Sequence, residues 1–246
     1  MRNLKFEIDV RWLQILNFLV SVCVLLLHPS LYGVAVSLFM YAILLIFGVN
    51  IGYHRALTHG SLKQNTFAYK ICVSIGALVG LGKPIDWALV HRLHHSYSDE
   101  ELDPHSPKYA GTWTVFFNRW TLSEKIGTGI KMRLVRNLVS DKFIRLINDY
   151  YSLILVSSYI FLGALLGYKW LTYVYLIPCT LCLGATSLVN AFCHDSKGFP
   201  RNVPWITYWA LGEGLHESHH KSPETLDHSL PFLPDFSGKI LKRIAK

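Results

Sequence analysis

The chain has 246 residues, 51 % of them apolar and 16 % charged, with 24 Lys or Arg against 16 Asp or Glu and a formal net charge of +8. With a positive mean hydropathy, that balance is too apolar for an ordinary soluble domain and points to one integral membrane domain of all-α type spanning 1–246. Basic residues flank apolar runs and carry no recognised nucleic-acid motif, so the charge fits anionic lipid, a phosphate-bearing ligand or an acidic protein and excludes nucleic acid as partner.

Residues 1–11 read as a short polar arm. Residues 12–27 are apolar apart from Gln14 and Asn17, and His28-Pro29-Ser30 breaks the helix. No signal-peptide cleavage pattern precedes this run, so it reads as a retained span. Residues 31–53 are a second run, long enough to cross a bilayer. The apolar segment 67–81 is too short to cross and reads as an interfacial or re-entrant helix. Residues 150–168 and 170–193 form a third and a fourth span around a turn at Lys169. Residues 84–149 and 194–246 form a polar cap. Of the five cysteines, Cys179 and Cys182 form a C-x-x-C inside the fourth span, where packing is the expected role. The arm carries Arg2, Lys5 and Arg11, the 54–149 loop thirteen Lys or Arg and the tail seven, whereas the turn at 28–30 has none. The positive-inside rule then puts both termini and the cap in the cytoplasm.

That orientation brings three histidine clusters to one membrane face. His91, His94 and His95 in DWALVHRLHH stand at i, i+3 and i+4, on one face of a helix. The spacing recurs as His216, His219 and His220 in GEGLHESHH. His54 and His59 in GYHRALTHGS are five apart, which a straight α-helix does not align; the pair fits if His54 ends the span and His59 follows a break. Asn190 and His194 in NAFCH share a face at the end of the fourth span and suggest a ninth imidazole. A lone histidine at a helix end is usually a polar cap, but this concentration reads as a polyhistidine metal centre. Eight or nine imidazoles exceed the needs of one ion, so two ions are expected; iron, copper, nickel and zinc all suit the donors. Asp86, Asp99, Asp103, Asp195, Glu213, Glu217 and Asp227 are acids near enough to take the second N–H of a ligand histidine, with Asp103 and Glu213 favoured.

GYHRALTHGSLK, HRLHHSYSDEELDPHSP, GEGLHESHH and NAFCH together resemble the histidine boxes of the membrane-bound fatty acid desaturases, in the branch that includes the stearoyl-CoA Δ9-desaturases, over residues 31–228. The resemblance implies a mushroom-shaped helical fold: four transmembrane helices under a cytosolic helical cap that carries the dimetal centre. It implies two iron ions held by His54, His59, His91, His94, His95, His194, His216, His219 and His220, with Asn190 acting through a water. It also implies the reaction, in which O2 and two electrons introduce a cis double bond, expected at Δ9, into a saturated acyl chain. Such a site needs a water-excluding apolar tunnel, and Trp87, beside the second box, is a candidate wall. YAGTWTVFFNRW matches the family loosely, which leaves acyl-CoA, acyl-carrier protein and glycerolipid open as acyl carriers; Lys108 and Arg119 could meet CoA phosphates but fit solvated surface better. The sequence holds no His-Pro-Gly-Gly haem motif, so a separate electron donor, cytochrome b5 or a ferredoxin, is expected on the basic face. The rivals are an alkyl or fatty-acid hydroxylase with the same metals and a non-redox metal-binding membrane protein. The Gly-Glu-Gly lead and NAFCH favour the desaturase. A carrier would place its ligands near the bilayer midplane.

Overall fold

The computed structural model describes residues 9–119 and 121–245. Most of the expected polar arm, including Arg2 and Lys5, lies outside the described residues, as do Trp120 and Lys246. The described residues are helical throughout, with isolated β-bridges and no longer strand.

Helix α1, Val10–Leu27, starts at Asp9, whose carboxylate accepts the Arg11 N–H, and stops at His28 before Pro29. It turns toward the protein Asn17, Ser21 and Val24, spaced three and four apart. Apart from Leu13, its leucines face outward, as does Leu31 at the start of the next helix: Leu26 is 75 % and Leu31 91 % exposed. Polar groups inside and apolar ones outside suit a hydrocarbon solvent. Inside, the Asn17 amide donates to the Tyr159 hydroxyl at 2.8 Å.

Helix α2, Leu31–Ile43, capped by Ser30, runs without a break into a π-helix, π1, Leu44–Thr58. π1 is the centre of the molecule. One core cluster gathers Ile51, Tyr53 and Leu57 of π1 with Ala88, Leu138, Ile144 and Leu155. A second joins Leu44, Leu45 and Val49 to Tyr41, Cys182, Ala185 and Ile206. Glycine permits the closest crossing: Gly52 lies against the Cys72 carbonyl, and Gly48 against Gly76, with no room for a Cβ at any of the three. Cys72 and Gly76 belong to α3, Phe67–Val79.

α3 ends in a left-handed turn, with Gly80 at φ 85° and Gly82 at φ 118°. Pro84 then opens α4, Pro84–Ser96, at 93° to α3. Short helices α5, Pro107–Ala110, and α6, Thr112–Phe116, lead to α7, Thr128–Ser140, and α8, Lys142–Asp149. Helix α9, Tyr151–Leu171, π2, Thr172–Leu176, and α10, Ile177–Phe192, form one helical stretch. It folds back at Gly167, which takes φ 71° and ψ 164°. In an unbroken helix Tyr159 and Tyr175 would stand about 24 Å apart; their rings are 5.2 Å apart. The polar tail forms α11, Pro204–Trp209, α12, His216–Lys221, and α13, Phe236–Ile244.

Three stretches are long and apolar enough to cross a membrane: Val10–Leu27, Leu31–Thr58 and Tyr151–Phe192, the last of 42 residues. The boundaries correct those expected. The second stretch runs to 58 rather than 53, because π1 carries the helix through the first histidine box. The turn in the third sits at Gly167, whose positive φ the chain needs there, and not at Lys169.

A candidate metal centre of nine histidines

The break expected between His54 and His59 does not exist. The π-helix replaces it: its i→i+5 hydrogen bonds stack residues five apart, and the two rings lie 5.1 Å apart. Thr58 supports the winding by donating its hydroxyl to the Tyr53 carbonyl at 2.8 Å. Where π1 ends, its last carbonyls need donors. The Arg92 guanidinium supplies them, giving Nη2 to the Leu57 carbonyl at 3.0 Å and Nε to the Thr58 carbonyl at 2.9 Å. Arg92 lies on α4 between His91 and His94, so this contact brings the first two boxes together. The third box opens α12.

All nine expected histidines converge in two groups. His54, His59, His91, His95 and His219 form one; His94, His194, His216 and His220 form the other; within each group the candidate donor atoms all lie within 4.8 Å of one another. In the first, Nε2 of His219 is 3.0 Å from that of His54 and 3.0 Å from that of His95, and His95 is 3.1 Å from His91. In the second, His220 is 3.1 Å from His94 and from His216, and His216 is 3.1 Å from His194. His59 Nε2 is buried without a hydrogen-bond partner.

Acids fix several tautomers from behind. His54 Nδ1 lies 2.5 Å from Glu213, His94 Nδ1 2.8 Å from Asp103, and His194 Nδ1 3.0 Å from Asp99 and 3.0 Å from the Gly198 carbonyl. A proton held on Nδ1 leaves a lone pair on Nε2. Lone pairs converging at 3.0–3.1 Å repel one another, and a shared cation relieves that repulsion. At a metal–nitrogen distance of about 2.1 Å, ligands at right angles stand about 3.0 Å apart and tetrahedral ligands about 3.4 Å. The observed separations are of the order expected for nitrogens that share one ion.

Electrostatics favour the same state at most of these histidines, the exception being His194, where burial is outweighed by hydrogen bonds to Asp99 and the Gly198 carbonyl that raise its pKa. Burial drives the His91, His94, His216 and His219 pKa values well below the ordinary one, and lowers His95 to about 3 and His220 to about 2. These imidazoles are therefore neutral and ready to ligate at pH 7. Burial pushes the Glu213 carboxyl up, but His54 and Arg55 overcome it and hold it down to about 2. Burial raises Asp103 to about 7 against the backbone N–H groups of His105 and Asp99 that point at it.

A cavity of about 510 Å³ touches both groups, with His54, His91 and His216 on its wall; its size suits a small-molecule ligand. Trp87, the expected tunnel residue, lines it and stacks on His91, with centroids 5.3 Å apart and planes 13° apart. Asn190 lies half-buried on the same wall. Leu45, Val49, Leu183, Ala185 and Val189 make it apolar, whereas Arg11, Gln14 and Lys83 give it a polar part near the start of α1. Lys108 and Arg119 are exposed and lie off its wall.

A family model described as fatty acid desaturase matches residues 29–235. The chain belongs to the fatty acid desaturase family. It is 27 % identical over 230 residues to the sn-2 palmitoyl-lipid 9-desaturase of Nostoc sp. (strain 36), covering 87 % of this chain and 80 % of that one. It is 30 % identical over 184 residues to Delta-9 acyl-lipid desaturase 2 of Arabidopsis thaliana, covering 70 % and 59 %. It is 28 % identical over 210 residues to the chloroplastic palmitoyl-monogalactosyldiacylglycerol delta-7 desaturase of the same plant, covering 80 % and 55 %. The chain thus spans little more than half the length of the two plant relatives.

Of the acids considered, Asp103 and Glu213 do face histidines of the two groups, but so does Asp99, which was not favoured. Its place four residues after His95 is the signal that could have raised it. Glu217 instead pairs with Lys221 at 2.5 Å, Asp195 accepts the N–H groups of Lys197 and Phe199, and Asp227 accepts that of Ser229. Asp86 lines the cavity. Sequence reasoning also missed Arg55, a cation inside an apolar stretch, where a charge demands acidic partners; Glu213 and Asp235 are those partners.

Proposed function

We propose that the chain is a fatty acyl desaturase that places a cis double bond in a saturated acyl chain, at Δ9, with two irons held by the nine histidines. The observation that carries this reading is the pair of imidazole groups facing one apolar cavity. The five-histidine group takes one iron. The four-histidine group takes the other, with Asn190 completing it through a water. When bound, the irons supply the oxidising power that an unactivated C–H bond requires. The balance is one –CH2–CH2– unit, O2, two electrons and two protons in, and one –CH=CH– unit and two waters out.

The chain's own residues position and exclude. Leu45, Val49, Leu183, Ala185 and Val189 seat the acyl chain and keep water out. Trp87, locked on His91, fixes one carbon pair beside the histidines. Glu213, Asp103 and Asp99 hold the Nδ1 protons of His54, His94 and His194, so that each Nε2 lone pair stays directed inward. Arg11, Gln14 and Lys83 meet the polar end of the substrate. The relatives' names favour a chain esterified in a lipid. The reading has four spans with both termini and the cap in the cytoplasm, and the hairpin at Gly167 and the basic loops support it. A separate acidic donor, cytochrome b5 or a ferredoxin, docks on the basic cap, where Lys131, Arg133, Arg136, Lys142 and Arg145 stand close in sequence on α7 and α8.

Expression in a desaturase-deficient host followed by gas chromatography of its fatty acids tests the reading. A new monounsaturated chain, absent when His94→Ala is expressed, supports it. A hydroxylated chain instead would replace desaturation by hydroxylation at the same site.

A further inference from the structure

Behind the five-histidine group lies a charge network anchored in the last segment of the chain. Arg55 is 2 % exposed and Asp235 is 0 % exposed. Arg55 Nη1 donates to Asp235 at 2.9 Å, and Nη2 donates to Asp235 at 3.1 Å and to Glu213 at 3.0 Å. Glu213 turns its other oxygen to His54 Nδ1 at 2.5 Å. The Asp235 carboxylate also accepts the N–H of His228 at 3.0 Å and of Gly238 at 2.7 Å. It sits in a cradle that a side chain would fill: a Cβ at Gly212 or at Gly238 would meet it at 2.3 Å. The segment is tied down further by Asn50 of π1, whose amide donates to Ser237 at 2.9 Å, and by Ser237, which donates to the Leu211 carbonyl at 3.0 Å.

One cation is thus shared by two carboxylates. Without the Asp235 carboxylate, Arg55 would pair with Glu213 alone and draw it away from His54. With it, Arg55 is held from both sides and Glu213 keeps one oxygen for the His54 N–H. The four-histidine group is backed by Asp103 and Asp99 instead.

We propose that Asp235 is a positioning residue for the five-histidine group alone, acting through Arg55 and Glu213 on His54, so that the segment 226–238 straps one metal site and not the other. This rests on the reading of the histidines as ligands of two irons. The test is iron content of purified, monodisperse chain in detergent after a fixed chelator challenge. Wild type should retain about two irons per chain. Asp235→Asn should retain about one, because one site releases metal 10–100-fold more readily. His194→Ala, which removes a ligand of the other group, should also retain about one, and the double variant none. Gly238→Ala displaces the Asp235 carboxylate without removing its charge and should reproduce Asp235→Asn. Two irons retained by Asp235→Asn and by Gly238→Ala would overturn the proposal. So would loss of both irons together with the monodisperse peak in both variants, which would make the segment a folding element only. A wild type without iron would instead sink the two-iron reading, a distinguishable failure.

Discussion

Replacing Asp103 by Asn changes one oxygen into an amide and leaves the volume almost unchanged. Asp103 Oδ2 faces His94 Nδ1 at 2.8 Å and the Asp99 N–H at 3.2 Å, while Oδ1 accepts the His105 N–H at 3.1 Å. Every neighbour is a donor, and the side chain is fully buried. An asparagine has one acceptor oxygen. With the oxygen toward His94, the amide NH2 opposes the His105 N–H; with it toward His105, the NH2 opposes His94 and favours the tautomer protonated on Nε2, which cannot ligate. A buried donor left facing another donor costs about 1–3 kcal/mol. The loss of the acid behind the ligand should weaken metal binding about 10–100-fold. Thermal unfolding of metal-free protein reads the first effect, and iron release to a chelator the second. Wild-type iron retention by Asp103→Asn would refute the assignment of Asp103 as the group that fixes the His94 tautomer.

His94→Ala and His219→Ala, one from each group, should abolish product while the protein still inserts; wild-type product from either, by gas chromatography, would remove that histidine from the site. Gly52→Ala drives a Cβ to within 2.2 Å of the Cys72 carbonyl, a backbone atom that cannot rotate away. It should destabilise the protein by about 1–3 kcal/mol, read as a lower melting temperature in detergent, and unchanged melting would mean that the π1–α3 crossing is looser than described. Metal-free protein should lose stability in acid. The half-buried His95 and the buried His105 have folded pKa values lowered by burial to about 3 and about 4, below the ordinary histidine value of 6.5, so the unfolded chain binds more protons in between. Stability then falls as pH drops from about 7 toward 4, by at most about 1.4 kcal/mol per pH unit for each such histidine. A melting temperature that does not change between these limits would contradict the neutral, buried state.

The site was more legible than the fold around it, for physical reasons visible in particular residues. The i, i+3, i+4 triplets declare themselves because α-helical geometry turns that spacing into one face. The i, i+5 pair misled about the backbone, since nothing in GYHRALTHGS distinguishes a break from a π-helix. The glycines at 48, 52 and 76, which let π1 pack on α3, carry no chemical signature of their own, even Gly52, which stands two residues before His54. The 93° bend between α3 and α4 was not read, although Gly80, Gly82 and Pro84 are residues that favour a turn. Asp103 and Glu213 could be favoured as acids close to histidine boxes. Arg92, Arg55 and Asp235 could not be assigned, because their partners lie 34 to 180 residues away in sequence, and only the folded chain pairs them.

The central claim is that nine histidines form two separate metal sites on one face of the protein. Iron analysis of the purified chain, loaded with ferrous iron under exclusion of air and desalted, tests it most directly. The account predicts about two irons per chain in wild type and about one in His194→Ala, whose five-histidine group is intact. A single iron in the wild type, lost altogether in His194→Ala, would contradict it by making the nine imidazoles one site.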